Sequence, residues 1–69
     1  MSDKDIVRMA NDISHFFAAY PHDEAVAGVQ GHIQDYWDPR MRKALTAHLA
    51  DGGVGLEPLV VEAAGKLGG

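Results

Sequence analysis

The stretch Tyr36-Trp37-Asp38-Pro39-Arg40-Met41-Arg42 carries the sharpest structural signal in this 69-residue chain. Aspartate is a preferred N-cap residue, and proline suits the first helical position because its missing N–H loses no hydrogen bond there. Asp38-Pro39 therefore predicts that one helix ends near Trp37 and that the next begins at Pro39.

Apolar residues recur at three- and four-residue spacing on both sides of this turn, which is the period of an amphipathic helix, and no segment shows strand alternation. Pro21 stops the first helix, and Gly52 or Gly53 ends the third. We expect an all-α fold, a small bundle of three helices plus a short fourth C-terminal helix, in a single domain over residues 1–69. The predicted helices cover about residues 4–19, 22–37, 39–50 and 58–66.

Two features depart from a simple amphipathic pattern. Gly28 and Gly31 lie inside the second predicted helix, where each costs about 1 kcal/mol relative to alanine, so we interpret the pair as a site of close helix packing. Phe16 and Phe17 are adjacent and therefore point about 100° apart on a helix. One narrow stripe cannot bury both rings, so we expect one of them to face a partner.

Composition limits the classes of function. Apolar residues make up 46% of the chain and charged residues 23%, as in a folded globular protein. A domain this small buries only roughly 60% of its unfolded surface, so burial against a partner would help its stability. The net charge of −4 is the wrong sign for a general binder of nucleic acid or anionic membranes. We therefore expect neither as a partner.

The chain contains no cysteine, which excludes disulfides, thiolate metal sites and cysteine-bound Fe–S clusters in this chain. Its charged start lacks the apolar core of a signal peptide, and no apolar run approaches the ~18 residues of a membrane span. We expect a cytoplasmic protein.

The sequence contains no motif that is typical of a catalytic site. The four histidines show neither i, i+4 pairing nor a His-Glu-x-x-His signature, and no serine or threonine lies in a nucleophile motif. The loop over residues 52–55 follows a helix and lacks the Lys-Ser or Lys-Thr ending of a phosphate loop. We therefore predict no catalytic, cofactor-binding or metal-binding residue and no enzymatic activity of the chain by itself. The histidines are His15, His22, His32 and His48.

The concentration of aromatic residues and arginine points to protein–protein contact, because Trp, Tyr and Arg are enriched at binding hot spots. The alternative is that Trp37 and Phe17 simply fill the core of the bundle. Arg40-Met41-Arg42-Lys43 also permits a helix-turn-helix DNA-binding interpretation, which the net charge opposes. The predicted partner interface is Phe16, Tyr36, Trp37, Pro39, Arg40 and Arg42, with Met41 pointing inward.

Four blocks of the sequence, in this order, resemble the delta subunit of NAD-dependent, molybdenum-containing formate dehydrogenase. The block Tyr36 to Arg42, an aromatic-Trp-x-Pro-Arg-Met-Arg pattern, is the most specific of them. The other blocks are Met9 to Ile13 with Phe16-Phe17, Ala25 to Val29 with His32-Ile33, and Gly52 to Val60.

The resemblance implies a cytoplasmic complex that oxidises formate to carbon dioxide, reduces NAD and can run in reverse. In that family the alpha subunit carries the molybdenum bis-guanine-dinucleotide cofactor and Fe–S clusters, the beta subunit carries flavin (FMN) and the NAD site, and the gamma subunit carries an Fe–S cluster. The delta subunit is small and cofactor-free. Its implied role is to bind and stabilise the large alpha subunit, either as a resident subunit or as a dedicated assembly chaperone.

Overall fold

A capping box begins the first helix of the computed structural model, which describes residues 2–67. The backbone N–H of Asp5 donates to the Ser2 hydroxyl oxygen, and the Ser2 backbone N–H and hydroxyl donate to the Asp5 carboxylate. These two donors hold the pKa of the Asp5 carboxyl below its ordinary value. This helix, α1, spans Asp3–Phe17. It ends two residues before the predicted limit of residue 19, because the backbone turns through Tyr20 into Pro21.

The second and third helices meet at the Asp38-Pro39 turn. The helix α2 spans His22–Tyr36, and α3 spans Pro39–Ala50. Trp37, which was predicted to be helical, is extended instead, with φ −85° and ψ 140°. The Asp38 carboxylate accepts from the backbone N–H of Met41 at 2.9 Å and caps α3 as its N-cap.

A glycine-rich loop connects α3 to the short helix α4, which spans Pro58–Ala64. Gly65 is its C-cap, so the helix ends two residues before the predicted limit of residue 66. Gly52 and Gly53 both have positive φ, at 111° and 63°, so both act as terminators of α3. Asn11 on α1 holds this loop, because its Nδ2 donates to the Gly55 carbonyl and its Oδ1 accepts from the Glu57 backbone N–H, each at 2.9 Å.

The core lies between all four helices, with α2 packed against α1 and α4, and α3 packed against α1 and α4. No strand occurs within residues 2–67, and the predicted all-α fold of three helices plus a short fourth is confirmed. The buried residues that form the core are Ile6, Ala10, Val26, Val29, Ile33, Trp37, Leu45, Val60, Ala63 and Ala64.

Gly28 of α2 lies directly against the Phe17 ring of α1. A Cβ atom at this position would lie 2.5 Å from two carbons of the Phe17 ring, which no side chain can tolerate without a shift. Gly31 has open space at the same atom. The interpretation of this glycine pair as a packing site therefore holds for Gly28 and not for Gly31.

The two glycines provide a matched test of this contact. We expect Gly31→Ala to raise the free energy of unfolding by about 0.5–1 kcal/mol, because alanine is the better helix former and meets no neighbour. We expect Gly28→Ala to lower it by about 1 kcal/mol or more, because overpacking outweighs that gain. Urea unfolding followed by circular dichroism measures both, and equal changes in the two variants would contradict the close approach.

Candidate partner-binding surface

Four rings form one continuous surface, which we call the aromatic face: Phe16 and Phe17 at the end of α1, and His32 and Tyr36 on α2. Phe16 and Phe17 pack edge to face with their centroids 5.0 Å apart. The rings of His32 and Tyr36 lie 4.8 Å apart at 35°. His32 and the two phenylalanines line the same open groove of about 370 Å³, so the two pairs of rings join into one face.

The helical period explains which rings are exposed. Phe17 is half-buried and rests on α2 at Gly28, whereas Phe16 is rotated about 100° away and is 70% exposed. Phe16 is therefore the ring of this pair that faces outward. Tyr36 at the end of α2 is 77% exposed. Exposed aromatic side chains that share one face, as Phe16 and Tyr36 do through His32, are typical of interaction sites.

Trp37 does not belong to this surface. Its side chain is only 6% exposed and packs into the core with Ile33 and Leu45. The expectation that the Trp37 ring is presented to a partner is wrong for this fold, and the core-filling alternative applies. The physical reason is the extended backbone at Trp37, which turns its side chain away from the neighbouring Tyr36 and into the bundle.

The two arginines of the turn have different surroundings. Arg40 is exposed, whereas Arg42 is half-buried and its Nη1 donates to the backbone carbonyls of Trp37 and, at 3.4 Å, of Gln34. Arg42 thus satisfies carbonyls that the end of α2 leaves without helical partners. Its Nε is buried without a hydrogen-bond partner. Arg42 therefore has a role within the chain, and its contact with a partner stays a prediction.

Four of the six residues predicted for the partner interface are exposed in the structure. Phe16 and Tyr36 belong to the aromatic face, and Pro39 and Arg40 lie exposed at the start of α3. Met41, which was expected to point inward, is half-buried against the core. The sequence prediction missed the contribution of His32. Its spacing of four residues from Tyr36 is the signal that would have paired the two on one helix face.

Two histidine–carboxylate contacts connect α1 and α2 to α4 and its N-cap residue. His15 Nε2 lies 3.1 Å from the Glu57 carboxylate, and His22 Nε2 lies 2.7 Å from that of Glu62. All four side chains are largely solvent-exposed, so each pair adds little stability. Among the residues that the structure describes, no three histidine, aspartate or glutamate side chains are placed to hold a metal ion. None of the described helices has the length and apolar character of a membrane span.

Truncation of the buried tryptophan tests its assignment to the core. We expect Trp37→Ala to lower the free energy of unfolding by about 3–5 kcal/mol, because it leaves a cavity among fully buried side chains. In a domain this small, loss of helical circular dichroism at 25 °C is the expected result. Retention of the wild-type melting curve would mean that the ring is not a core element.

The two arginines form a second matched pair. We expect Arg42→Ala to lower the free energy of unfolding by about 1.5–3 kcal/mol, because charged hydrogen bonds to the end of α2 are lost. Arg40→Ala should change it by less than about 0.5 kcal/mol, as is usual for exposed positions. Urea denaturation of both variants measures the difference, and equal effects would contradict the capping role of Arg42.

Most of the chain, including this surface, matches a known protein family. A family model described as the NADH-dependent formate dehydrogenase delta subunit FdsD matches residues 5–64. The matched segment includes the aromatic face, the turn at Asp38-Pro39 and all of α4. No curated protein and no solved structure shows significant similarity to the chain.

Proposed function

The chain belongs to the NADH-dependent formate dehydrogenase delta subunit family FdsD, and from that premise we propose that it is a non-catalytic subunit that binds and stabilises the large subunit. The complex would be cytoplasmic and would oxidise formate to carbon dioxide while it reduces NAD to NADH, or run in reverse. The alpha subunit would carry the molybdenum bis-guanine-dinucleotide cofactor and Fe–S clusters. The beta and gamma subunits would supply FMN, the NAD site and a further Fe–S cluster.

The aromatic face is the observation that carries this proposal. Phe16 and Tyr36 are rigid aromatic side chains of the kind that act as anchors in interfaces, and both are more than two-thirds exposed in the isolated chain. The half-buried Phe17 fixes the base of the groove beside Phe16. A partner side chain seated in this groove would bury apolar surface that the small domain cannot cover itself.

The exposed start of α3 extends the proposed interface. Pro39 and Arg40 lie next to Tyr36 along the chain, and the buried Trp37 supports them from below as a core residue. Pro39 contributes a fixed backbone, and the Arg40 guanidinium offers five N–H donors to carboxylates or carbonyls of the partner. Trp37 and Arg42 then contribute to binding by holding this turn in place.

A dedicated assembly chaperone would need the same exposed surface, so the two roles are separated by stoichiometry. Affinity purification of the chain, tagged at its C-terminus, from cells that make the enzyme gives the answer when formate-dependent NAD reduction is measured on the eluate. Equal amounts of the large subunits with activity support a resident subunit. Inactive large subunit with the chain, and active enzyme without it, would support a chaperone. Recovery of no large subunit would contradict both.

We expect the double variant Phe16→Ala with Tyr36→Ala to weaken association with the large subunit by about thirtyfold or more, which corresponds to the ~2 kcal/mol of one hot spot. Its helix content should stay close to that of the wild type, because both side chains are exposed. The equilibrium is measured by biolayer interferometry on the immobilised chain.

The matched control for this test is Val54→Ala with Val61→Ala, which removes exposed apolar side chains outside the aromatic face. The control should bind like the wild type. Equal binding of wild type and the aromatic variant would show that the aromatic face is not the interface.

A further inference from the structure

The positive charge of this acidic chain is concentrated on one helix. The net charge is −4, yet α3 contains three of the six lysine and arginine residues and no aspartate or glutamate within its bounds. Arg42 is turned toward the end of α2, which leaves Arg40 and Lys43 exposed. We call these two residues the cationic patch.

The cationic patch has no carboxylate partner in the part of the chain that the structure describes. No ion pair within 4.0 Å involves Arg40 or Lys43 among residues 2–67. The nearest carboxylate along the chain, that of Asp38, accepts the Met41 backbone N–H as the helix cap. The Asp51 carboxylate lies beyond the opposite end of α3.

The position of Arg40 is unfavourable for the isolated helix. It lies in the first turn of α3, where the positive end of the helix dipole disfavours a cation by about 0.3–1 kcal/mol. The first turn of α1 also contains a cation, Lys4, but it lies between Asp3 and Asp5, and the first turn of α2 carries Asp23 and Glu24, whereas that of α3 contains no acidic residue. No carboxylate of residues 2–67 lies within 4.0 Å of the Arg40 guanidinium, so an anionic group from another chain fits this position.

The cationic patch lies close to the aromatic face along the chain. Arg40 follows Tyr36 by four positions, which limits the distance between their Cα atoms to about 14 Å. A single partner surface of ordinary size, roughly 800 Å² per partner, therefore reaches both. One side of that surface would be apolar, opposite the rings, and the other would be acidic, opposite α3.

We propose that the cationic patch, Arg40 and Lys43, docks against a carboxylate-bearing surface of the large formate dehydrogenase subunit and accelerates the encounter of the two chains. This inference rests on the proposed function. Exposed charges at the rim of an interface act mainly on the association rate and its salt dependence, whereas buried anchors act mainly on the dissociation rate. The cationic patch therefore raises the association rate, and the aromatic face lowers the dissociation rate.

The test compares two variants with the same total charge. Arg40→Glu with Lys43→Glu reverses the patch, and Lys4→Glu with Lys66→Glu reverses two exposed lysines outside it. Both variants carry the same change in net charge, so a general effect of charge acts equally on them. The probe is the assembly of the other formate dehydrogenase subunits, made in cells that lack this chain, and association and dissociation rates are measured between about 20 and 300 mM salt.

We expect the patch variant to associate about tenfold more slowly than the control at low salt, with the difference shrinking as salt rises and with dissociation rates nearly unchanged. Equal association rates for the two variants would overturn the proposal, and so would a slower association that does not depend on salt. Circular dichroism of both variants establishes that they are folded. If the wild-type chain itself fails to bind the other subunits, the proposed function fails rather than the steering patch.

Discussion

The turn from α2 into α3 is the constraint on which the rest of this small protein depends. Pro39 forbids continuation of α2 and pushes Asp38 into an extended conformation, where its carboxylate caps α3. The extended backbone at Trp37 then directs the indole into the core. Arg42, one turn into α3, donates back to the carbonyls at the end of α2 and closes the junction. The ends of the two helices are thus joined by hydrogen bonds made within residues 34–42.

This junction also decides which side chains remain available outside. Tyr36 and Trp37 are neighbours of similar size, yet one is 77% exposed and the other 6%. Arg40 and Arg42 differ in the same way, because a separation of two residues places them on different sides of α3. In each of these two pairs, one residue stabilises the fold and the other remains exposed to a partner.

Much of the fold follows from the sequence, because helix period, caps and prolines are local signals. The start of α3 at Pro39 and the terminators Gly52 and Gly53 were predictable in this way, and the observed bounds differ from the predicted ones by at most two residues. Contacts between distant residues were not predictable. Asn11 holds a loop that lies more than 40 residues away, and no pattern in the sequence links them.

The candidate site was predictable only in part, for the same reason. Composition and the family pattern directed the prediction to the region around the turn, but hot-spot residue types are also core residue types. The burial of Trp37 and the hydrogen bonds of Arg42 could be assigned only once the backbone direction at the turn and the position of the α2 carbonyls were known. His32 was overlooked because its role comes from stacking on Tyr36 and from a groove shared with α1.

The size of the chain connects its stability to its function. A 69-residue domain has a small core, and here it leaves Phe16 and Tyr36 uncovered. Under the proposed function, a partner that covers these rings binds only the folded chain and therefore shifts the folding equilibrium toward the native state by mass action. The exposed aromatic face then both lowers the stability of the free chain and provides the apolar surface that the complex buries.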